Sequence, residues 1–180
     1  NHKIDRLTSD HMGMFATMIN ALALQSTFKK VNLSSVILSS RSVDGVFAIS
    51  SPMLAIETLK KRKIVIFAGG TSNPFVTTDS AASLRACEIN ASAIFKATTV
   101  NGVYNKDPNK FNKAKMFDIL SFNEMLNKEL LVMDLFACIQ CRDFDIPICV
   151  FNMRRKRALL RIVNGAKEGT WVTSEGRKCK

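Results

Sequence analysis

Short apolar runs alternate along this chain with stretches whose apolar residues recur at helical spacing. Val36-Ile37-Leu38, Ile64-Val65-Ile66-Phe67-Ala68 and Ala93-Ile94-Phe95 are continuous apolar segments of strand length, the pattern of strands buried on both faces. Ile146-Pro147-Ile148-Cys149-Val150-Phe151 is a fourth, with its proline near the start where a strand tolerates it. Thr170-Trp171-Val172 reads as a last, edge strand. Between them, Met12, Phe15, Ile19, Leu22 and Leu24 predict a long helix. It has Thr8, Ser9 or Asp10 as candidate N-caps and Lys29-Lys30 at the end that the helix dipole favours for cations. Ser51-Pro52 opens a second helix over 53–59. A third covers 80–88 with Thr77, Thr78 or Asp79 as its cap, and Ser121-Phe122-Asn123-Glu124 has capping-box spacing. Further helices are predicted over 134–144 and 158–163. Strands alternating with helices give an α/β fold, a three-layer α/β/α sandwich on a mainly parallel sheet with ligands at the carboxyl ends of its strands. Residues 1–174 are expected to form a single domain, followed by a tail over 175–180.

The stretch Gly69-Gly70-Thr71-Ser72-Asn73-Pro74-Phe75-Val76-Thr77-Thr78-Asp79 holds the densest chemistry. It joins a buried strand to a helix start, where glycines allow close backbone approach and free N–H groups face negative charge. Three threonine hydroxyls, an asparagine amide and a carboxylate share one turn. Any one of them is explained by helix capping, but the set exceeds what a connection needs.

Composition narrows the classes. Apolar residues make up 47% and charged residues 23% of the 180, an ordinary globular balance. No apolar run approaches the ~20 residues of a membrane span, so no membrane partner is expected. Lys+Arg 26 against Asp+Glu 15 gives a net charge of +11. The cations are scattered apart from Arg154-Arg155-Lys156-Arg157, with no interleaved aromatics to stack bases, so a nucleic-acid partner is not expected. Cys87, Cys138, Cys141, Cys149 and Cys179 are odd in number, and most lie in apolar contexts, which suits free thiols in a reducing compartment. Cys138-Ile139-Gln140-Cys141 sits inside an apolar helical pattern without a second pair, so no metal site is assigned.

The loop GGTSNPFVTTDSAA resembles the uridylate-binding loop of bacterial-type UMP kinases, members of the amino-acid kinase superfamily. Collinear stretches agree: Ser9-Asp10-His11-Met12-Gly13-Met14, then 96–108, Leu131-Val132-Met133-Asp134, and Val150-Phe151-Asn152-Met153. The resemblance runs to about Val172. It implies ATP-dependent phosphorylation of UMP to UDP, with Mg²⁺ accompanying ATP, in a cytoplasmic homo-oligomer, a hexamer in this family, regulated by GTP and UTP. It places UMP at Asp10, Thr71, Ser72, Asn73, Pro74, Phe75, Val76, Thr77 and Thr78, with Asp10 accepting from the sugar and Thr78 nearest the base. It places ATP at Thr98, Tyr104 and Asp107, where a strand-end hydroxyl, a flat ring and a carboxylate suit adenine and ribose. Asp79 and Asp134 are the carboxylates expected nearest the chemistry, orienting a lysine or a magnesium-bound water. Each is equally readable as a helix cap, as is Asp10.

Three residues depart from the family pattern. Ser72 stands where glycine is usual, which costs the loop freedom at positive φ. Thr99 and Asn101 replace the usual lysine and aspartate. The family's first strand, with its lysine, glycine-rich turns and phosphate-binding arginine, is expected to lie before Asn1, so the chain reads as a fragment that is inactive alone. The runner-up reading is a non-catalytic nucleotide-binding or regulatory module on the same fold.

Overall fold

The structure, a computed structural model, describes residues 4–108, 110–130 and 133–176. The chain divides into two compact units, Asn1–Ile89 and Asn90–Lys180.

The first unit begins with α1 (Arg6–Lys30). Its cap is Asp5, not Thr8, Ser9 or Asp10: the extended Asp5 accepts from the Thr8 amide at 2.9 Å and the Thr8 hydroxyl at 2.7 Å. The helix therefore starts before Asp10, whose carboxylate is left for other partners. β1 (Ser35–Ser39), β2 (Ala48–Ile49), α2 (Pro52–Lys60), β3 (Ile64–Ala68) and α3 (Thr78–Glu88) follow. β2 was not anticipated, since two exposed residues carry no readable period. Strand order is β2-β1-β3, all parallel. The core joins Met18 and Ala21 of α1 to Ile37, Phe47, Ile66 and Ala68, with Phe28 and Ile64 packed on it. Burying the Met, Ile and Phe side chains among these stabilises by about 1.5–3 kcal/mol each. Ser39 pairs with Ala68 in the β1–β3 register, so both strands end at one level beneath the glycine-rich loop.

In the second unit, β4 (Ile94–Thr98), β5 (Ile119–Ser121), β6 (Ile148–Asn152) and β7 (Thr170–Thr173) form one sheet in the order β4-β6-β7-β5. β7 is thus interior, correcting the edge assignment. It pairs antiparallel with β6 and parallel with β5, a three-residue strand too short to register in the apolar pattern. All other pairs are parallel, so the sheets are mainly parallel as expected. α4 (Phe122–Asn127) opens with the expected capping box of Ser121 and Glu124. α5 (Leu135–Asp143) buries Cys138 and Cys141, and α6 (Ala158–Val163) packs Ala158 and Ile162 against Cys149 and Phe151 of β6. Cys179 lies outside the described residues, as do Leu131 and Val132. Among the described residues no helix is long and apolar enough to cross a membrane.

Candidate functional site

The glycine-rich loop leaves β3 by leaning on the end of β1. Gly69 takes φ 79°, and a Cβ there would overlap the Ser40 hydroxyl, which donates to the Gly69 carbonyl at 2.6 Å. Only glycine satisfies both the φ and the approach. The Gly69 amide donates to the Thr17 hydroxyl at 2.8 Å, and that hydroxyl donates onward to the Met14 carbonyl at 2.7 Å, tying the loop to α1. Ser72 adopts φ 68° despite its side chain, which donates to the Ser40 carbonyl at 2.9 Å. The loop therefore keeps its positive φ without the family glycine. Its crest is set by Asp10, whose Oδ2 accepts the Phe75 amide at 2.7 Å while Oδ1 accepts Arg6 Nε at 2.7 Å. These partners hold the Asp10 carboxyl below its ordinary range, the Phe75 amide first and Arg6 after it, against the effect of burial. Asp10 is a loop anchor and not a helix cap.

Between α1 and this loop lies a cleft of about 270 Å³, lined by Asp10, Thr71, Val76, Thr77 and Thr78 together with Arg6, Ser9, Gly13, Met14, Thr17 and Gly70. Thr77 caps α3 by accepting from the Ser80 amide at 3.2 Å. Thr78, the first residue of α3, is exposed on the cleft wall. The positive end of α3 and the Arg6 guanidinium suit the cleft to an anion. Ser72, Asn73, Pro74 and Phe75 do not line it. Asn73 donates its amide to Thr71 Oγ1 at 3.2 Å, and Phe75 stands on the crest, 67% exposed.

The second unit has its own cleft, about 340 Å³, at the carboxyl end of β4. Thr98, Tyr104 and Asp107 line it together, with Val100, Gly102, Val103, Lys106, Pro108, Leu130 and Val150. Thr98 Oγ1 lies 2.8 Å from the Val100 carbonyl and 3.1 Å from that of Phe151, so the hydroxyl shapes the turn after β4. Tyr104 bridges antiparallel to Met116, and the Asp107 carbonyl accepts the amides of Lys110 and Phe111 at 3.1 and 3.0 Å. Asn101, the departure from aspartate, accepts from Asn152 Nδ2 at 3.0 Å, and Asn152 Oδ1 accepts the Arg154 amide at 2.9 Å. An uncharged pair thus links the turn after β4 to the end of β6.

Asp134 is the cap of α5, its Oδ1 accepting the Ala137 amide at 2.9 Å. Asp79 lies in the first turn of α3, behind the cap Thr77. Neither lines the cleft of its unit. Among the described residues no group of three or more His, Cys, Asp or Glu side chains is placed to hold a metal ion.

Arg6, Thr17, Ser40 and Thr170 were missed as supports of these clefts. Each is a polar residue in an amphipathic or strand pattern, and its role depends on a partner 29 positions away for Ser40, 52 for Thr17, and 53 and 67 for Thr170. Arg6 is the exception, since its i,i+4 spacing from Asp10 is visible in the sequence.

Residues 1–152 match the model of the amino acid kinase family. The chain is 54% identical over 172 residues to a uridylate kinase of Francisella tularensis subsp. holarctica, covering 96% of this chain and 69% of that one. It is 51% identical over 169 residues to a uridylate kinase of Coxiella burnetii, covering 94% and 70%. Among solved structures, the UMP kinase from Bacillus anthracis matches with a TM-score of 0.92 at 34% identity, covering 96% of this chain and 71% of that one. The uridylate kinase from Archaeoglobus fulgidus matches with a TM-score of 0.69 at 28% identity, covering 94% and 73%. Asp10, the loop over 71–78, and Thr98, Tyr104 and Asp107 all lie within the matched 1–152, and the chain belongs to the uridylate kinases of the amino acid kinase family.

Proposed function

We propose that this protein transfers the γ-phosphoryl group of ATP to UMP, giving UDP and ADP, with UMP held in the cleft between α1 and the 71–78 loop and ATP in the cleft after β4. The observation that carries the acceptor assignment is the Asp10 cleft. It presents hydroxyls of Thr71, Thr77 and Thr78, a helix N-terminus and a guanidinium to one volume of about 270 Å³. That set of donors matches a nucleoside monophosphate, which brings a dianion, a sugar diol and a polar base edge. Phosphoryl transfer asks little covalent chemistry of the protein. It asks that the acceptor oxygen and the γ-phosphorus be held in line, with water kept out and negative charge compensated.

In this proposal Thr71, Thr77 and Thr78 donate to UMP, with Ser72, Asn73, Pro74, Phe75 and Val76 shaping the loop around it, and Asp10 holds the crest and offers acceptor capacity to the ribose. Tyr104 lays its ring against adenine, Asp107 accepts from the ATP ribose and Thr98 fixes the turn beneath. Mg²⁺ enters with ATP, as an ion held chiefly by the nucleotide phosphates and water. When bound it neutralises phosphate charge. Asp79 and Asp134 act as orienting carboxylates near that charge. Residues 1–174 work as one amino-acid kinase-like domain, in a cytoplasmic homo-oligomer of hexameric type with GTP and UTP as effectors. The exposed stripe of Met12, Phe15, Ile19 and Leu22 on α1 supports self-association, because a single chain leaves it uncovered.

Titration calorimetry of the protein with UMP, CMP and ATP, followed by a coupled assay of ADP release, tests the proposal. UMP bound in preference to CMP is expected, with UMP-dependent ADP release from a chain that spans the full length of the uridylate kinases it matches. ATP and UMP binding without any transfer by that longer chain would replace the kinase with a nucleotide-sensing module.

A further inference from the structure

Thr170 opens β7 with no accessible surface, and its hydroxyl is shared between the two legs of the loop that carries Tyr104 and Asp107. It donates to the Phe117 carbonyl on one leg and accepts the Val103 amide at 2.9 Å on the other. The legs are also joined directly, Phe117 N to the Val103 carbonyl at 2.9 Å, with Tyr104 and Met116 bridged beside them. Gly102 approaches the same hydroxyl so closely that a Cβ would overlap it. On the sheet, Thr170 stands opposite Val150 in the antiparallel register, and Val150 lines the cleft with Thr98 and Tyr104. Beyond the neck the loop holds itself together through Asn105 N to the Lys115 carbonyl at 3.0 Å and Lys115 N to Asn105 Oδ1 at 2.8 Å. One buried hydroxyl therefore joins the strand floor of the cleft to the hairpin that walls it.

We propose that Thr170 is a positioning residue for the nucleotide in this cleft. Its hydroxyl fixes the Tyr104 ring and the Asp107 carboxylate relative to Thr98, without itself lining the cleft. The inference rests on the reading of that cleft as the ATP site. Valine at 170 would keep the shape of the side chain but strip the Phe117 carbonyl and the Val103 amide of their shared partner where water has no access. The neck would then shift to recover those bonds, and Tyr104 would move with it. Serine would keep both bonds.

The test is calorimetric titration of ATP and of UMP into the wild-type protein and the Thr170→Val, Thr170→Ser and Tyr104→Ala variants. Trp171, the single tryptophan, lies next to Thr170 and reports by its emission whether the sheet is intact. Thr170→Val is expected to raise the Kd for ATP about tenfold with the Kd for UMP and the Trp171 emission unchanged, and Thr170→Ser to restore ATP binding. ATP affinity unaffected by Thr170→Val but weakened by Tyr104→Ala would overturn the inference and leave the ATP site standing. ATP affinity unaffected by Tyr104→Ala would remove the ATP site, and the inference with it. If Thr170→Val unfolds, Thr170→Ala replaces it, since it removes the same hydroxyl without adding any group to the cleft. A selective loss of ATP binding is expected there, and wild-type affinity would overturn the inference.

Discussion

The Asp10 carboxylate on α1 accepts the backbone amide of Phe75 at 2.7 Å, across 65 positions of sequence. Phe75 has φ 66°, a left-handed conformation that costs a non-glycine residue about 1–2 kcal/mol. The crest of the acceptor loop is thus held in an unfavourable backbone conformation by a side chain of the helix opposite. Removing the carboxylate releases the crest, and with it the spacing of Thr71 and Thr78 across the cleft.

The charge on Asp10 makes this anchor sensitive to acid. Its carboxyl sits below the ordinary aspartate value of 3.8 because the Phe75 amide, and then Arg6, favour the anion. A depressed folded value means that the stabilisation is complete above the unfolded value of 3.8 and is lost as pH falls through the folded value beneath it. The Phe75 amide resonance should shift in that acid range, together with a loss of UMP affinity. In Asp10→Asn the inflection should vanish and UMP affinity should be lower throughout. An amide resonance that does not move on acidification would show that the bond does not depend on the charge.

Thr77 and Thr78 are adjacent, equally suited to cap a helix, and both line the cleft, but Thr77 is the one that caps α3. Thr77→Ala removes the α3 cap and should cost about 1 kcal/mol. That is a fall of roughly 2–4 °C in Tm for a chain of this size. Thr78→Ala removes a hydroxyl from the cleft wall and should raise the KM for UMP about tenfold, the equivalent of one hydrogen bond. Its Tm and its KM for ATP should barely change. Equal losses for both nucleotides in Thr78→Ala would contradict the acceptor assignment.

The sequence showed the elements that depend on local signals. Pro52 behind Ser51, the Ser121–Glu124 box and the lysines ending α1 all act within one helical turn, and each appears where it was expected. The errors have one cause. Asp5 caps α1 in place of Asp10 because competing N-caps differ by tenths of a kcal/mol, and the Asp10 carboxylate instead binds the distant Phe75 amide. β7 reads as an edge strand from its short polar-flanked run, but β5 pairs with it from 52 positions upstream and makes it interior. The clefts were legible as motifs because their residues cluster in sequence. Their supports, Thr17 under Gly69 and Thr170 under Val103, were not, since a buried threonine in a strand or helix looks the same with or without a distant amide to bind.

Tyr104 tests the donor cleft. Tyr104 lines the cleft while its backbone bridges to Met116, so side-chain changes should leave the loop in place. Tyr104→Ala should raise the Kd for ATP by a factor of about five to ten, the loss of a stacking face worth roughly 1 kcal/mol. Tyr104→Phe should bind ATP as the wild type does. If phenylalanine proved as damaging as alanine, the hydroxyl and not the ring would be the group that the nucleotide contacts.

Ser72 offers a test of how the acceptor loop replaces its usual glycine. The residue stands at φ 68°, which costs about 1–2 kcal/mol relative to glycine. Its hydroxyl returns part of this through the 2.9 Å bond to the Ser40 carbonyl, about 1 kcal/mol in net terms. Ser72→Gly relieves the backbone and loses the bond, so the two changes should nearly cancel and leave Tm within about 2 °C of the wild type. Ser72→Ala loses the bond and keeps the strain, so it alone should be destabilised, by roughly 1 kcal/mol. Scanning calorimetry of both variants measures the difference. Alanine as stable as serine would mean that the hydroxyl bond contributes nothing. Glycine clearly more stable than serine would mean that the loop carries its strain uncompensated.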